Sequence, residues 1–579
     1  MSQLRPEHRG PTPVEWGSDA IAMLLRDSGI PYVTLCPGSS VRGLHDSLVN
    51  LLGGEQPEPL VCLHEEHAVA IAHGYAKVSG EALVAVVHTN VGLLHASMAI
   101  YNAWCDRAPM LVIAGSGPLA VESRKPWIDW IHAPDDPAGP IRSFVKSASL
   151  PRTVAHAVDA VARALAVSRS HPQGPTLVSL ETPVQEAPVA ESQRQPSSAA
   201  SRHRVSRPTA SSVDDAIRLL RASSVPVILA GRLSRDEPDW ARRIHLAEHL
   251  GARVITDIKA GAAFPTDHPL HVPGAGFFLS AEAKQVLAAA DCVLSLDWID
   301  LAGTLVQAGP SEHQRILIAA GPGAALERPD PQGIFAPARV DAALDGRPDD
   351  AVAALLKVLR REGSPRERAT VGITARPASG PINQTRGGSL TMETLADQLQ
   401  RATAGVPVCL ARLPIGWPAD AWPLRHPLDY VGYDGGAGIG SGPGMAVGVA
   451  LALRGTGRLP MAILGDGDLL MGMSALWTAA RYRIPLLIVA ANNRAYLSDV
   501  AQQERVAIQR GRDPANRWIG QTIDDPPVDL AALARAQGLE AWGPTATIEE
   551  LAAVLPAAVS AVLAGAPVLV DALVDVGAD

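Results

Sequence analysis

Two short polar turns, each following an apolar run, carry the residue types and spacing that could do chemistry in this 579-residue chain. Asp466 stands in the turn 465–467, and Asn493 closes a polar turn after the apolar run 485–491. The pattern predicts a βαβ unit with a helix around 471–481 between two parallel strands. Because ligands of open α/β sheets bind where the carboxyl ends of the strands meet, we expect Asp466 and Asn493 to lie at one edge.

The chemistry of these two side chains suits a small divalent cation. A carboxylate and an amide oxygen are hard donors, and Mg²⁺ takes a few such ligands and fills its shell with phosphate oxygens and water. Gly465 and Gly467 let the backbone approach a phosphate, and the following helix would point its amino end at it. The alternative is an ordinary βα turn followed by a polar loop.

Composition bounds the class of protein. The net charge of −9 and the absence of a basic block argue against a nucleic-acid partner. The five cysteines are scattered and lack metal spacing, which is typical of reduced thiols in a cytoplasmic protein. The proline-rich start is not a signal peptide, and no apolar run reaches the roughly 18 residues of a membrane helix.

Two low-complexity stretches, 186–212 and 360–389, are interpreted as linkers. The segments around them alternate helix and strand, which predicts doubly wound α/β domains. Helices are expected at 18–27 and 68–78. Strands are expected at 32–35, 60–63, 83–87, 110–114, 225–229, 253–256, 292–296, 315–318, 406–410, 460–464, 486–490 and 568–574.

Other polar residues stand at the ends of the predicted strands of the first segment. Glu65 and Glu66 open a helix of small residues, where the helix dipole alone would favour them as solvated carboxylates. His88 ends the third strand, and Ser39 lies in a turn after the first. His67, His73 and His95 are interpreted as helix residues.

The metal-type motif and the segment 474–485 resemble thiamine diphosphate enzymes of the decarboxylase and acetolactate synthase superfamily, most closely the benzoylformate decarboxylases. The resemblance covers nearly the whole chain and is weakest in the middle. It implies three α/β domains, each with a doubly wound parallel sheet. They are an N-terminal pyrimidine-binding domain, a middle domain and a C-terminal diphosphate-binding domain. The expected ranges are 12–185, 213–359 and 390–579, separated by the linkers 186–212 and 360–389.

The resemblance implies thiamine diphosphate and Mg²⁺ as cofactors. Mg²⁺ would be held by the Asp466 carboxylate, the Asn493 amide oxygen and the backbone carbonyl of Ala495. Asp468 departs from the small neutral residue of many relatives and adds negative charge near the diphosphate, unless it faces away or pairs with a cation. The expected cofactor-binding residues are Ala437, Gly438, Ile439, Gly465, Asp466, Gly467, Asp468 and Asn493.

The catalytic residues implied by the resemblance are Glu65, His88 and Ser39. Glu65 would pair with a pyrimidine ring nitrogen and promote loss of the thiazolium proton, with Glu66 as the neighbouring competitor. His88 would move protons to and from the reaction intermediate. Ser39 would bind the substrate carboxylate, and Ile439 would prop the bent cofactor from below.

The substrate pocket departs from the benzoylformate decarboxylases. Their middle-domain histidine has no obvious counterpart, and the comparable strand end is acidic. The expected pocket residues are Asp297, Trp298, Asp300, Ser498 and Asp499. These differences place the aromatic 2-oxo acid substrate in doubt but not the cofactor.

The expected activity is decarboxylation of a 2-oxo acid to an enamine, which then releases an aldehyde or is ligated to a second aldehyde or ketone. The sequence leaves open an acetolactate synthase-like carboligase, a flavin-bearing oxidase of the same fold, and a catalytically degenerate cofactor-binding protein. The resemblance also implies a homodimer or homotetramer with active sites between protomers, and Glu65 and Asp466 supplied by different chains.

Overall fold

The computed structural model describes residues 13–189, 207–275, 278–310, 316–321, 338–361, 389–418 and 420–575. Its strands form three parallel sheets, which confirms the predicted fold class. Most of the two predicted linkers, namely residues 190–206 and 362–388, lies outside the described residues. Among the described residues, no helix combines the length and the apolar character needed to cross a membrane.

The first sheet has six strands in the order β2-β1-β3-β4-β6-β5. Buried side chains on both of its faces pack under helices. The strands are β1 Tyr32–Leu35, β2 Glu58–Val61, β3 Leu83–Val87, β4 Met110–Ser116, β5 Ala148–Ser149 and β6 Pro175–Glu181. The helices are α1 Gly17–Asp27, α2 Arg42–Asp46, α3 Glu65–Ser79, α4 Thr89–Cys105, α5 Ile128–Ile131, α6 Val154–Arg169 and α7 Thr182–Gln185.

The middle sheet also has six strands, in the order β12-β11-β10-β7-β8-β9. Its first helix begins at Ala210, inside the predicted linker 186–212. The strands are β7 Pro226–Ala230, β8 Arg253–Asp257, β9 His271–Ala275, β10 Cys292–Leu296, β11 Ile316–Gly321 and β12 Ala342–Asp345. The helices are α8 Ala210–Ala222, α9 Glu237–Leu250, α10 Ala281–Ala289, α11 Leu301–Ala308 and α12 Pro348–Arg361.

The third sheet has five strands in the order β13-β14-β15-β17-β16. The strands are β13 Val408–Arg412, β14 Leu459–Gly465, β15 Leu486–Asn492, β16 Glu540–Thr545 and β17 Pro567–Leu573. The helices are α13 Met392–Ala402, α14 Gly442–Ala452, α15 Asp466–Gly472, α16 Ala475–Arg481, α17 Leu497–Gln509, α18 Leu530–Ala536 and α19 Ile548–Leu563. Short 3₁₀ or π turns occupy Ser39–Val41, Ser47–Leu51, Val121–Ser123, Gly139–Phe144, Ile258–Ala260 and Pro514–Trp518.

The helix predicted around 471–481 is two helices in the structure. The first, α15, begins at Asp466 itself, and α16 begins at Ala475. The break follows Gly472, where an added Cβ would lie 2.1 Å from the carbonyl oxygen of Gly440. The single-helix prediction was therefore wrong: the helix is interrupted at Met473 and Ser474, next to the close approach of the Gly440 loop.

Helices α3 and α14 join the first domain to the third. A Cβ on Gly74 would lie 2.0 Å from the Met445 carbonyl oxygen, and one on Gly448 would lie 2.0 Å from the Ile71 carbonyl oxygen. The two backbones can approach this closely only because glycine has no side chain. This contact explains the many small residues of α3 and merges its buried face with the core of the third sheet.

Candidate active site

The Gly-Asp-Gly turn and the asparagine turn meet at one edge of the third sheet. Strands β14 and β15 are parallel neighbours, and Gly465 is in register with Ala491. The Asp466 carboxyl is within reach of the backbone N–H groups of Arg494 and Ala495. The predicted juxtaposition of Asp466 with the loop after β15 is therefore present in the structure.

The Asp466 side chain has the properties expected of a metal ligand. Its side chain is buried, and burial raises the pKa of its carboxyl above the usual value. Its Oδ2 is buried without a hydrogen-bond partner in the structure. A buried carboxylate oxygen without a partner is costly, and a divalent cation would satisfy it and keep the group ionised.

Asn493 and the turn around Asp466 supply the rest of the cradle. The amide oxygen of Asn493 accepts a hydrogen bond from the Ala495 N–H at 3.0 Å and keeps a second lone pair for a metal. A Cβ added to Gly465 would meet open space, whereas one on Gly467 would lie 2.7 Å from the ring of Tyr496. Gly467 therefore admits the Tyr496 ring, and Gly465 leaves room for a ligand. These residues fit a Mg²⁺-bound diphosphate.

Asp468 faces away from this cradle and toward the loop before α14. Its Oδ1 accepts hydrogen bonds from the backbone N–H of Gly440 at 2.6 Å and of Gly442 at 3.3 Å. Its Oδ2 lies 3.5 Å from Nε of the buried Arg412, which also pairs with Asp434 at 3.0 Å. Burial opposes the charge of Arg412, but Asp434 and Asp468 together raise its pKa, so the guanidinium stays charged. Both alternatives that the sequence left open for Asp468 are therefore met, since it faces away from the cradle and pairs with a cation.

The loop held by Asp468 carries the other predicted cofactor residues. Ala437 has φ +55°, a left-handed conformation, and Gly438 lies so close to Met98 on α4 that a Cβ would be 2.4 Å from its Cε. Ile439 is 40% exposed, which is unusual for a bulky apolar side chain between glycines. An exposed isoleucine here is consistent with the predicted prop, whose role stays a prediction.

Glu65 is the first residue of α3 and is buried. Its Oε2 lies 3.0 Å from Nδ1 of His95, and its Cγ lies over Gly92, where an added Cβ would be 3.1 Å away. Glu66 has a different environment, because its Oε1 accepts from the Ser441 hydroxyl at 2.5 Å. The geometry thus separates the two carboxylates: Glu66 bridges two domains, and Glu65 faces α4.

His88 follows β3 and is half-buried. Its Nδ1 is hydrogen-bonded to the hydroxyl of Ser40 at 2.7 Å. Burial lowers the pKa of His88, and the neighbouring His132 lowers it further. Ser39, the serine expected in the site, has an exposed side chain in the structure, and the buried neighbour Ser40 makes the contact with His88.

The acidic end of β10 is engaged in ion pairs. The Asp297 carboxylate lies 2.8 Å from Nη1 of Arg107 and 3.2 Å from Nε of Arg232. Burial acts to raise the pKa of Asp297, but the two arginines hold it below the usual value. Trp298 donates to the Thr304 hydroxyl at 2.8 Å. The polar groups of Asp297 and Trp298 are thus paired within the protein, and their assignment to the substrate pocket stays a prediction.

Three other residues of the predicted pocket lie at helix starts. Asp300 caps α11 by accepting from the Gly303 N–H at 2.9 Å. Ser498 and Asp499 are exposed in the first turn of α17, directly after the loop of Asn493. Their assignment to the substrate pocket stays a prediction.

Three family models match this chain. Residues 15–136, 213–306 and 415–572 match, in this order, the N-terminal TPP binding domain, the central domain and the C-terminal TPP binding domain of thiamine pyrophosphate enzymes. The chain belongs to the thiamine pyrophosphate enzymes. The cofactor of this family is thiamine diphosphate, and Mg²⁺ is its usual partner metal.

Relatives of this thiamine pyrophosphate enzyme include decarboxylases and synthases. It is 26% identical to benzoylformate decarboxylase of Pseudomonas aeruginosa, over 95% of this chain and 97% of that protein. It is 25% identical to the large subunit of acetolactate synthase isozyme 1 of Escherichia coli, over 86% of this chain and 84% of that protein.

The fold is also that of a solved family member. The structure of a thiamine diphosphate-dependent 4-hydroxybenzoylformate decarboxylase of Rhodococcus jostii superposes with a TM-score of 0.78 at 22% identity. The match covers 97% of this chain and all of the other. At this identity the likeness shows the fold alone.

The sequence missed several residues that the structure brings to the site. His95 was interpreted as a plain helix residue, yet it contacts Glu65. His132 contacts His88, and Asp571 accepts from the Asn492 amide at 3.0 Å, next to Asn493. Only the position of Asp571 within a predicted strand next to β15 could have indicated such proximity.

Proposed function

We propose that Asp466, Asn493 and the carbonyl of Ala495 hold Mg²⁺ and, through it, the diphosphate. The buried Oδ2 of Asp466 without a hydrogen-bond partner is the observation that supports this most strongly. The open space at Gly465 gives the phosphate access to the backbone. The edge of β14 and β15 then binds the cofactor through one metal.

The pyrimidine end would be held by groups near the start of α3. When bound, thiamine diphosphate supplies the electron sink that makes loss of CO₂ from a 2-oxo acid feasible. Glu65, buried and held by His95, would hydrogen-bond the pyrimidine ring. The carbonyl of Ala437 would accept from the amino group, and Ile439 would support the ring face.

The reaction that the geometry supports best is decarboxylation of a 2-oxo acid with release of an aldehyde. Aldehyde release requires one proton to replace the lost CO₂ on the carbonyl carbon. His88 is fixed through Nδ1 by Ser40, and burial lowers its pKa, so its ring is held where its other nitrogen can exchange a proton with the substrate. This fixed imidazole is the observation that favours release over ligation.

Carboligation is the second candidate. The similarity to the acetolactate synthase large subunit extends over 86% of the chain. This sequence similarity supports ligation to a second carbonyl compound. CO₂ release from a panel of 2-oxo acids, with and without added aldehyde, separates the two. Release without an acceptor supports the decarboxylase, and CO₂ that appears only with an acceptor supports the carboligase.

The binding assignments are tested by calorimetry with thiamine diphosphate and Mg²⁺. We expect Asp466→Asn to weaken cofactor binding strongly, and Glu65→Gln to retain binding but lose about 100-fold or more in rate. Matched controls are the exposed residues Asp214→Asn and Glu81→Gln, which we expect to behave as the wild type. Unchanged turnover in Glu65→Gln would remove the catalytic assignment and favour a binding protein.

We further propose that a second copy of this chain covers the site. Met98, Ile439 and Met471 are 37%, 40% and 54% exposed, and they lie along one surface, since Gly438 touches Met98 and Gly440 touches Met471. An apolar surface beside the loop that carries Ala437 and Ile439 is suited to an obligate interface. The predicted dimer or tetramer is measured directly by sedimentation.

A further inference from the structure

A second imidazole lies against His88. The rings of His88 and His132 are 4.9 Å apart between centroids, at an interplanar angle of 74°. His132 follows α5, and its segment is tied to α4 by a hydrogen bond from the Asn90 side-chain amide to the Ile131 carbonyl at 3.2 Å. The edge-to-face arrangement is one that aromatic rings favour.

Contacts with Ser40 and Gly38 also hold the ring of His88 in place. Its Nδ1 is hydrogen-bonded to Ser40, and a Cβ on Gly38 would lie 2.7 Å from the ring, so the loop after β1 packs directly against it. Nε2 is therefore the nitrogen through which His88 can exchange a proton with a substrate. The ring cannot turn away without displacing either this loop or His132.

We propose that His132 is a positioning residue that packs against the His88 ring, holds it in place and sets how readily it gives up a proton. This inference rests on the proposed function, because it assigns His88 to proton transfer.

The charges around His88 support this role. A positive charge on a neighbouring ring at this separation disfavours a proton on His88. Burial lowers the pKa of His88 first, the proximity of His132 lowers it further, and Glu65 on α3 acts in the opposite direction. A lower pKa makes protonated His88 a stronger acid.

The proton balance is simple. A 2-oxo acid anion that loses CO₂ must gain one proton at the carbonyl carbon to leave as an aldehyde. Protonated His88 would give up that proton from Nε2, and the neutral ring would take another from water. His132 does not touch the reacting atoms and changes only how readily His88 releases its proton.

The experiment is an NMR titration of the histidine Cε1–H signals in the cofactor-free protein. The His88 signal is assigned by its loss in His88→Gln. In both His132→Gln and His132→Phe we expect the pKa of His88 to rise by about half to one unit, because both remove the neighbouring imidazole that lowers it. His132→Phe keeps a ring against His88, so it also serves if the glutamine variant folds poorly. His156→Gln, at an exposed histidine of the same domain, is the matched control.

The outcomes separate the two proposals. An unchanged His88 pKa in both His132 variants overturns the inference, whatever the enzyme does. A risen pKa, together with an equal upward shift of the corresponding limb of the kcat–pH profile, supports it. Should the protein act on no 2-oxo acid, the proposed function fails, while the titration still decides whether the two histidines are coupled.

Discussion

Nδ1 of His95, on α4, lies 3.0 Å from Oε2 of Glu65 at the first residue of α3. The imidazole is half exposed, and the carboxylate is buried. A side chain that orients a catalytic carboxylate contributes less than the carboxylate itself, because removing it leaves the reacting group in place.

We therefore predict that His95→Phe lowers kcat by about 10-fold, against about 100-fold or more for Glu65→Gln, with cofactor affinity little changed in either. Steady-state kinetics and calorimetry measure both quantities. A His95→Phe loss as large as that of Glu65→Gln would mean that His95 itself touches the cofactor or the substrate.

The two adjacent serines can be told apart by kinetics. Ser40 is buried against His88, whereas Ser39 is exposed in the same turn. We expect Ser40→Ala to lower kcat by about 10-fold, since His88 loses the partner of its Nδ1. Ser39→Ala should instead raise the KM for the 2-oxo acid if that hydroxyl binds the substrate carboxylate. The two alanines are matched controls for each other, and identical effects would contradict the distinction.

Asp468 should matter for stability. Its carboxylate accepts hydrogen bonds from the backbone N–H groups of Gly440 and Gly442. It also forms an ion pair with the buried Arg412, which pairs with Asp434 as well. Asp468→Ala leaves those donors and part of the guanidinium charge without a partner. We expect a loss of about 2–4 kcal/mol in the free energy of unfolding, measured by urea denaturation. Asp214→Asn, an exposed carboxylate, is the control, and an equal effect of both would show that the buried pair contributes little.

Asp571 gives a pH-dependent prediction. Its carboxyl is almost fully buried at the end of β17, and burial raises its pKa to about 6. Because the folded protein binds this proton more tightly than the unfolded chain, stability from this group is present at low pH and is lost as pH rises through about 6.

Asp571→Asn removes that loss and can keep a hydrogen bond to the Asn492 side chain. We expect it to raise the free energy of unfolding by about 2–3 kcal/mol at pH 7.5 and to have little effect near pH 4. Thermal unfolding across this pH range is the measurement, made without Mg²⁺, since Asp466 lies nearby. A difference from the wild type that does not change with pH would contradict the assignment.

Complementation tests whether the sites are shared between protomers. If Glu65 of one chain serves the metal site of the other, a hybrid of Glu65→Gln and Asp466→Asn chains carries one intact site. Co-expression of the two inactive variants should then restore about a quarter of the wild-type activity, since about half of random dimers are hybrids with one working site of two. Each variant alone is the control. No recovery in purified hybrids would place both residues in the same site of one chain.

Much of the fold followed from periodicity. The strands expected at 32–35, 83–87 and 292–296 are found at those residues, and the others expected differ by a few residues at their ends. Buried parallel strands are continuous apolar runs, which the sequence displays directly. Strands β5, β6, β9, β12 and β16 were not predicted. The short helices α15 and α16 were missed as separate elements because the close approach of the Gly440 loop at Gly472 is a contact between elements that the local pattern does not display.

The sequence alone determined the chemistry of the cofactor edge. Asp466, Asn493 and the flanking glycines follow their strands directly, and the ends of adjacent parallel strands must meet, so local pattern and sheet geometry fixed their neighbourhood. The tertiary structure alone decided what each of two adjacent polar residues contacts: His95 by Glu65 and Ser441 by Glu66, and His88 by Ser40 beside the exposed Ser39. It also placed His95 and His132 against their partners. Such choices depend on side-chain directions and on contacts between elements distant in sequence, and residue types and spacing do not contain that information.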